Sequence, residues 1–323
     1  MHSMLRGLAA CAVLLTAALT TTAAPAYPER TVKIIVPFAA GGPTDVIARL
    51  IAQQLSNRLG QQFYVENLPG AGGNIGMAGA ARAAPDGYTI LIASSSYVVN
   101  PSLYKNCPYD PNSFVPVTLA AVTPNVLIVN PSIPAQSAQE LLALLKANPG
   151  KYTFASPGIG TTPHLASELF RSTYHLDFAI ATYRGGAPAT EAVLANEAPI
   201  AFVAMSTTTP LVKAGQLRAL AVTARKRSSA LSEIPTSTET GLSGQESETM
   251  QGVFVPSGTP NAIADLLQRE IATIVNMPDV KSKMLPLGFE PVGSSSTEFS
   301  AYIAAEIAKW KGVIMDAKIP QIP

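Results

Sequence analysis

A strand, a pair of glycines and the start of a helix follow one another between residues 32 and 49. The β-branched run at 32–36 predicts the strand, and Pro43-Thr44-Asp45 favours the first turn of a helix. A strand that enters a helix through Gly41-Gly42 leaves backbone N–H groups without intrahelical partners, and the helix dipole adds positive charge there. The segment therefore predicts a site for a small anion that requires neither a metal nor a basic side chain.

The same device recurs further along the chain. A strand predicted at 152–155 runs into Gly158-Ile159-Gly160-Thr161, and a helix is predicted at 163–172. His164 lies just inside that helix, where it supports the turn or lines a pocket; a catalytic base is the less favoured alternative. Because both turns combine glycines with threonine, we hypothesise that the two helix N-termini hold one ligand between them.

Strands alternate with helices along most of the chain, which predicts an α/β fold. The β-α-β-α-β pattern over residues 32–93 predicts a parallel sheet with right-handed crossovers. A strand at 217–223 is expected to cross back to the first domain, and 232–248 is expected to be loop. Strands are predicted at 32–36, 63–66, 89–93, 117–122, 126–129, 152–155, 178–182, 200–203 and 217–223, and helices at 45–59, 138–147, 163–172, 187–194, 262–275, 279–287 and 297–316. The glycine-rich segment 70–76 is expected to open a further small helix that runs to residue 84.

The N-terminus has the features of a cleaved secretory signal peptide at residues 1–26. Arg6 precedes an apolar core at 8–19, and Ala24-Pro25-Ala26 is similar to a cleavage site before Tyr27. A retained or lipid-linked N-terminus is the alternative, because Leu8-Ala9-Ala10-Cys11 is similar to a lipidation box. The apolar run is too short for a membrane span, so we expect export to the periplasm as a soluble chain.

Composition argues against several classes of function. Cleavage removes one of the 22 basic side chains, which leaves 21 beside 21 acidic ones. A net charge near zero argues against a nucleic-acid partner, which requires a basic face. Cys107 is then the only cysteine, so no intramolecular disulfide is expected. His164 and His175 have no ligand-like spacing, so we predict no metal site and no cofactor.

Enzyme signatures are incomplete in this chain. The glycine-rich segment 70–76 lacks the G-x-G-x-x-G spacing that a dinucleotide fold requires. No G-x-S-x-G elbow is present for a serine nucleophile. We therefore predict no catalytic residues.

Some polar side chains have open roles. Ser94 and Ser95 follow the strand at 89–93, and open α/β sheets bind ligands at strand C-terminal ends; a plain serine-rich loop is the alternative. Asp45 either caps its helix or accepts a hydrogen bond from the ligand. Tyr183 and Arg184 follow another strand, and Arg184 either clamps a carboxylate or packs at the surface.

Several motifs occur in order along residues 27–319. They are Tyr27-Pro28 with Val36-Pro37-Phe38, Gly41-Gly42-x-x-Asp45 with Arg49, Val65-Glu66-Asn67-x-Pro69-Gly70-Ala71-Gly72-Gly73, Pro85-Asp86-Gly87-Tyr88-Thr89, Gly158-x-Gly160-Thr161-x-x-His164-Leu165-Ala166, Tyr183-Arg184-Gly185-Gly186 and Pro256-x-Gly258-Thr259-Pro260. Each motif is weak alone, but the set in this order is specific. The chain thereby resembles the tripartite tricarboxylate transporter receptors, the Bug family of periplasmic solute-binding proteins.

The resemblance implies a two-lobed periplasmic binding protein, a type II-like Venus flytrap in which each lobe is a mostly parallel sheet flanked by helices. Lobe 1 is expected at residues 27–122 plus 224–323, and lobe 2 at 123–223. In this family, main-chain groups and ordered water largely hold carboxylates in the cleft. The residues expected to bind ligand, from the motifs and the analysis above, are Phe38, Ala40, Gly41, Thr44, Asp45, Ser94, Ser95, Gly158, Gly160, Thr161, His164 and Tyr183.

The chain departs from the family pattern in three places. Met250-Gln251-Gly252 stands where a tryptophan is common two residues before the glycine, and Thr182 replaces a usual proline. Asn196-Glu197-Ala198-Pro199 replaces a usual glycine-x-valine-aspartate. We expect all three near strand ends that reach the cleft, so the ligand of a relative does not transfer directly.

We therefore expect a monomeric periplasmic receptor and not an enzyme. It captures a small organic acid or an acidic amino acid by lobe closure and delivers it to the subunits of a membrane transporter. An orphan module that signals to a sensor partner is one alternative. A periplasmic enzyme acting on carboxylates is another.

Overall fold

The computed structural model describes residues 27–316 and 318–323. The predicted signal peptide and its cleavage site, residues 1–26, lie outside the described residues. Within the described part of the chain, every helix is too short or too polar to span a membrane.

The first part of the chain contains β1 (Val32–Val36), α1 (Pro43–Leu59), β2 (Phe63–Asn67), α2 (Asn74–Ala81), β3 (Thr89–Ala93) and α3 (Ser96–Leu103). Strands β2 and β3 both pair with β1 in parallel, as the alternation predicted. Helix α1 starts at Pro43, where a missing N–H is tolerated, and its C-cap is Gly60. Helix α3 takes the place of the serine-rich loop considered at residues 94–97, because serines favour helix starts as well as turns.

The middle of the chain contains β4 (Phe114–Val129), α4 (Ala138–Ala147), β5 (Thr153–Ser156), α5 (Thr162–Thr173), β6 (Ala179–Thr182), α6 (Gly186–Leu194), β7 (Ile200–Ala204), α7 (Met205–Lys213) and β8 (Arg218–Val222). Strand β5 pairs in parallel with both β6 and β7. Helix α7 was not predicted, because three consecutive threonines and Pro210 have low helix propensity. Tertiary packing overrides that local preference.

The last part contains β9 (Glu248–Pro256), α8 (Asn261–Asn276), α9 (Pro278–Met284), β10 (Glu290–Pro291) and α10 (Ser296–Asp316). The three helices agree closely with the prediction. Strand β9 was not predicted, although it pairs antiparallel with both β3 and β4 in the middle of its sheet. All of its residues from Thr249 onward are buried, so it shows no alternation of polar and apolar positions.

Strand β4 belongs to two sheets. It pairs with β9 as far as Pro124, and from Asn125 it pairs with β7. The strand order is therefore β2-β1-β3-β9-β4-β7-β5-β6, with β10 and β8 also paired to β4. One continuous strand corrects the prediction of two strands at 117–122 and 126–129. Pro124 lies where the partner strand changes, a position that tolerates a missing N–H.

The chain returns to the first sheet at Ser247. Strand β8, expected to cross back, instead pairs with β4 in the second sheet. Leu231 and Leu242 also pack in the cores of that sheet. The N–H of Ser247 donates to Thr223 O, and its carbonyl accepts the N–H of Asn125. We therefore propose the second lobe boundary at Ser247, in place of the expected boundary at residue 224.

Each sheet is covered by helices on both faces. Buried side chains of α1, α8 and α9 form the core on one face of the first sheet, and those of α2, α3 and α10 form the other. In the second sheet, α4 and α5 cover one face, and α6 and α7 cover the other. The result is two three-layer α/β lobes joined by β4 and by the segment at Ser247.

Candidate functional site

A small cavity of about 30 Å³ lies between the two lobes. Space of this size accommodates about two waters or one carboxylate group. No charged side chain of the described residues lines it. The lining residues are Phe38, Pro43, Thr44, Ser94, Pro157, Thr161, Pro163, Gly186, Ala204 and Thr249. We call this space the inner cavity.

The inner cavity lies at the N-termini of five helices. Each of these helices contributes a residue from its first turn or from just before it. These residues are Pro43 and Thr44 of α1, Ser94 before α3, Thr161 and Pro163 of α5, Gly186 of α6 and Ala204 before α7. A helix N-terminus carries partial positive charge. Five of them together attract an anion without a lone cation having to be buried.

Asp45 closes the first glycine turn. Its Oδ2 accepts the Gly41 N–H and the Arg49 Nε–H, both at 2.9 Å, and its Oδ1 accepts the Asn67 amide at 2.9 Å. Burial alone would raise the pKa of Asp45, but the hydrogen bonds from Arg49, Gly41 and Asn67 outweigh burial and lower it. The carboxylate therefore locks the turn, and the Gly41 N–H is not available to a ligand.

Free backbone donors remain beside both glycine turns. Thr161 caps α5 by accepting the His164 N–H at 3.4 Å, and Ser156 Oγ accepts the Gly158 N–H at 3.3 Å. Between Ala39 and Asp45 and between Gly158 and Thr162, the N–H groups that form no hydrogen bond with any described residue are those of Ala40, Gly42, Thr44, Asp45, Ile159, Gly160 and Thr162. Among the predicted site residues, the N–H groups of Gly41, Gly158 and Thr161 are engaged within the protein. Those of Ala40, Thr44, Asp45 and Gly160 are free among the described residues.

Two other predicted residues contact the protein instead of the inner cavity. Ser95 Oγ accepts the Met250 N–H at 2.9 Å and so ties α3 to β9. Gly160 lies against α3: a Cβ atom there would be 2.0 Å from Asn100 Oδ1. Both residues therefore position the walls of the site.

His164 is buried behind the second turn, with 7% of its surface exposed. Its Nε2 lies 3.7 Å from Glu168 Oε1, a long contact, and its Nδ1 has no partner among the described residues. Arg171 instead pairs closely with the other oxygen of Glu168. Burial, together with the charge of Arg171, lowers the pKa of His164 to about 4, so the ring is neutral at pH 7. The ring therefore makes no close hydrogen bond among the described residues, and its support of the turn stays a prediction.

A wider cavity of about 490 Å³ adjoins the inner cavity and shares Phe38 and Pro157 with it. We call it the outer cavity. The predicted residues Gly158 and Tyr183 line it. Its other lining residues are Pro69, Gly70, Ala71, Gly72, Gly73, Ile75, Tyr104, Ile159, Thr182 and Arg184. Ala40 and Gly41 are exposed in the first turn and line neither cavity.

The lobes touch around the two cavities. The Ala39 N–H donates to Arg184 O at 3.1 Å. Gly72 lies against Ile159 so closely that a Cβ atom would be 2.0 Å from the Ile159 carbonyl oxygen. Leu165 of α5 is fully buried in a core of the first lobe. The structure is therefore a closed conformation.

Thr249 links the inner cavity to the crossing strands. Its Oγ1 donates to Asn125 Oδ1 at 2.9 Å and shares a 2.6 Å hydrogen bond with Thr162 Oγ1. Thr223 Oγ1 in turn donates to Asn125 O at 2.9 Å. These polar groups are buried and paired, which holds the crossing region in one arrangement. Sequence reasoning missed Thr249 because β9 itself was not predicted.

Other lining residues differ in how visible they were in the sequence. Gly186 follows a strand and another glycine and begins a helix, which is close to the signal that identified Gly41-Gly42. Ala204 had no such signal, because α7 was not predicted. Of the three departures from the family pattern, Thr182 lines the outer cavity. Met250 is buried in a core, and Pro199 precedes β7, whose opposite end supplies Ala204 to the inner cavity.

A third cavity, of about 500 Å³, lies outside the cleft near the Ser247 crossing. Glu246, Glu248, Glu290 and Glu306 line it together with basic residues. Burial and the neighbouring Glu290 raise the pKa of Glu248. The four glutamates outnumber Arg225, Lys226 and Lys309 by one, so this mixed lining does not favour an anion. The inner cavity, which lies at helix N-termini, is the better anion site.

Two α/β lobes closed over an uncharged cavity at helix N-termini define a two-lobed solute-binding protein. The chain belongs to the tripartite tricarboxylate transporter receptor family, whose model matches residues 47–319. BugT of Bordetella pertussis is 35% identical over 296 residues, which cover 91% of this chain and 91% of BugT.

Solved structures agree with this assignment. The periplasmic binding protein BugD is 34% identical with a TM-score of 0.88, over 91% of this chain and 99% of BugD. R. palustris Rpa4515 with adipate is 34% identical with a TM-score of 0.89, and the match covers 92% of this chain and 100% of Rpa4515. MatC from Rhodopseudomonas palustris with bound malate is 28% identical with a TM-score of 0.85, and the match covers 89% of this chain and 100% of MatC. These matches confirm the two-lobed fold and the family predicted from the motifs.

Proposed function

We propose that this protein is a periplasmic receptor that captures a small carboxylate in the inner cavity and delivers it to the membrane subunits of a tripartite tricarboxylate-type transporter. The observation that carries the proposal is the convergence of five helix N-termini on a cavity without charged side chains. The ligands of Rpa4515 and MatC, adipate and malate, are both carboxylates.

Within this proposal, the carboxylate binds to neutral donors from both lobes. The free N–H groups beside the two glycine turns and the hydroxyls of Thr44 and Ser94 supply these donors. The hydroxyls of Thr161 and Thr249 already donate to Gly158 O and to Asn125 Oδ1. In a cavity shielded from water, each such hydrogen bond is stronger than in solution. Because the donors belong to different lobes, the bound anion favours the closed conformation over the open one.

The proposal includes export through the N-terminal signal predicted at residues 1–26. BugD is described as periplasmic, which supports the same compartment for this chain. N-terminal sequencing of protein recovered from the periplasm should begin at Tyr27. A product that keeps residues 1–26 would contradict cleavage.

The binding site is tested by putting a fixed anion into it. Ser94 is 4% exposed and lines the inner cavity. S94D should leave the fold intact, because helix N-termini stabilise a carboxylate. It should also weaken binding of organic acids by roughly a hundredfold or more, because two like charges a few ångströms apart repel strongly.

The matched control is S94N, which has a similar shape and no charge. A thermal-shift screen with C4 to C8 organic acids identifies a ligand for the parent, and titration calorimetry then compares the variants. S94N takes up the same space in the cavity, so it should bind acids more weakly than the parent does but clearly more tightly than S94D does. If S94D binds acids as tightly as S94N does, the inner cavity is not the carboxylate site. Chromatography of the incubated acid should show no product, in contrast to the enzyme alternative.

A further inference from the structure

Gln251 is a fully buried side chain whose amide has no hydrogen-bond partner. None of its surface is exposed, and neither its Oε1 nor its Nε2 finds a partner among the described residues. Burial of this kind destabilises a folded protein, because the amide loses its hydrogen bonds to water and gains none in return. Unsatisfied buried groups are rare in native structures, so a role in function is the first explanation to test.

The side chain of Gln251 lies on the same face of β9 as Thr249, which lines the inner cavity. Successive side chains of a strand point to opposite faces of its sheet. Met250 and Phe254 lie in the core beside α3 and α10, whereas Val253 lies in the core beside α1. Gln251 therefore shares the face of Thr249 and Val253, between the inner cavity and the core beside α1.

Ser94 flanks Gln251 on the neighbouring strand. Ala93 pairs with Gly252 in antiparallel register, so Ser94, the next residue after β3, stands opposite Gln251. Side chains that stand opposite each other in antiparallel strands share a face, with Cβ atoms roughly 4.5–5.5 Å apart. Ser94 and Thr249 both line the inner cavity. The register therefore puts the Gln251 amide behind the wall of the inner cavity, between two of its lining residues.

We propose that Gln251 is a binding residue of the inner cavity and that its Nε2 donates a hydrogen bond to the buried end of the captured acid. The terminal torsion of a glutamine has a broad range, so the amide can turn toward the cavity while the strand stays in place. A neutral donor suits this site, because it stabilises an anion without a buried cation. The inference rests on the proposed function, because it takes the inner cavity as the carboxylate site.

Q251M tests this role, because methionine has a similar length and no amide. Removal of the unsatisfied amide should raise the melting temperature of the ligand-free protein by roughly 2–4 °C. Loss of the donor should weaken the binding of adipate and of malate, measured by titration calorimetry, by roughly tenfold or more. A residue that only packs would not separate these two effects, because a packing defect lowers stability as well as affinity.

Gln245 provides the matched control. It is 1% exposed, and both polar atoms of its amide lack a partner among the described residues, but it is not among the lining residues of either cavity. Q245M should therefore raise the melting temperature in the same way and leave both affinities at the parent values. In NMR spectra of isotope-labelled parent protein, the side-chain N–H signals that Q251M lacks should shift when malate is added, and those that Q245M lacks should not.

The outcomes separate this role from the proposed function. If Q251M binds both acids as tightly as the parent does, the role of Gln251 is overturned while carboxylate binding stands. A fall in the melting temperature of Q251M would also overturn it, because the amide would then serve packing. An equal loss of affinity in Q245M would do the same. If neither acid binds to the parent, the proposed function and this inference fail together.

Discussion

Replacing Gly72 by alanine tests whether ligand binding requires the closed arrangement of the lobes. Gly72 has φ of 63°, and a Cβ atom there would lie 2.0 Å from the carbonyl oxygen of Ile159 on the other lobe. Real Cβ contacts are essentially never shorter than 3.0 Å, so the lobes would have to part by about 1 Å at this point. The obstacle is backbone, which cannot rotate away as a side chain would.

The structure allows the effect of G72A to be divided into two parts. Alanine at positive φ costs roughly 1–2 kcal/mol in any conformation, because its Cβ approaches the following carbonyl. The clash with Ile159 exists only when the lobes are closed. Overpacking of this kind costs roughly 1–3 kcal/mol, which corresponds to a loss of ligand affinity of about 5- to 140-fold. Parting the lobes would also lengthen the 3.1 Å hydrogen bond from Ala39 to Arg184.

Gly60 provides the matched control. It has φ of 73° at the end of α1, and a Cβ atom there would meet nothing within 4 Å. G60A therefore carries the same backbone strain without the clash. Both variants should lose similar stability in urea unfolding of the ligand-free protein, but only G72A should lose affinity. Calorimetry would use the acid with the largest thermal shift. Full affinity in G72A, or an equal loss in both variants, would refute closure through this contact.

Three further predictions concern stability, each measured by urea unfolding. Burial lowers the pKa of His164 to about 4, so between pH 6.5 and 4 the unfolded chain binds a proton that the folded chain does not bind. Acidification through this range should therefore lower the free energy of unfolding by about 3 kcal/mol. H164Q should flatten this part of the pH profile, and H175Q should not. D45N should cost about 1–3 kcal/mol at pH 7. The pKa of Asp45 is lowered in the folded protein, so its contribution to the free energy of unfolding is present above its ordinary pKa of 3.8 and disappears at more acidic pH. The stability difference between D45N and the parent should therefore shrink at acidic pH. A difference that stays constant with pH would contradict this. F154A should cost about 3–5 kcal/mol, because Phe154 is fully buried and stacks on Phe178 at 4.0 Å; a cost below 1 kcal/mol would contradict that packing.

Local features of the sequence predicted most helices and the parallel strands. The starts of α1 and α5 depend on a few adjacent residues, because proline, threonine and glycine each favour a particular backbone conformation there. The same turns identified Thr44 and Thr161, which line the inner cavity. A helix start depends on its own neighbourhood, so one sequence suffices to recognise it.

Long-range pairing was out of reach of the same reasoning. Strand β9 is buried throughout, so it has no periodicity to recognise, and Thr249 was missed with it. The orientation of Asp45 toward Gly41 depends on Arg49 and Asn67 as well as on the turn itself. In each case the deciding contacts come from residues that are not adjacent in the chain.

The amino-acid sequence by itself determined the α/β alternation and two of the anion-attracting helix starts, because both depend on short-range backbone preferences. Only the tertiary structure decided that five helix starts meet at one cavity, which no charged side chain of the described residues lines. The physical reason is that the electric field in a cavity, and the shape of that cavity, depend on groups from distant parts of the chain that folding brings together.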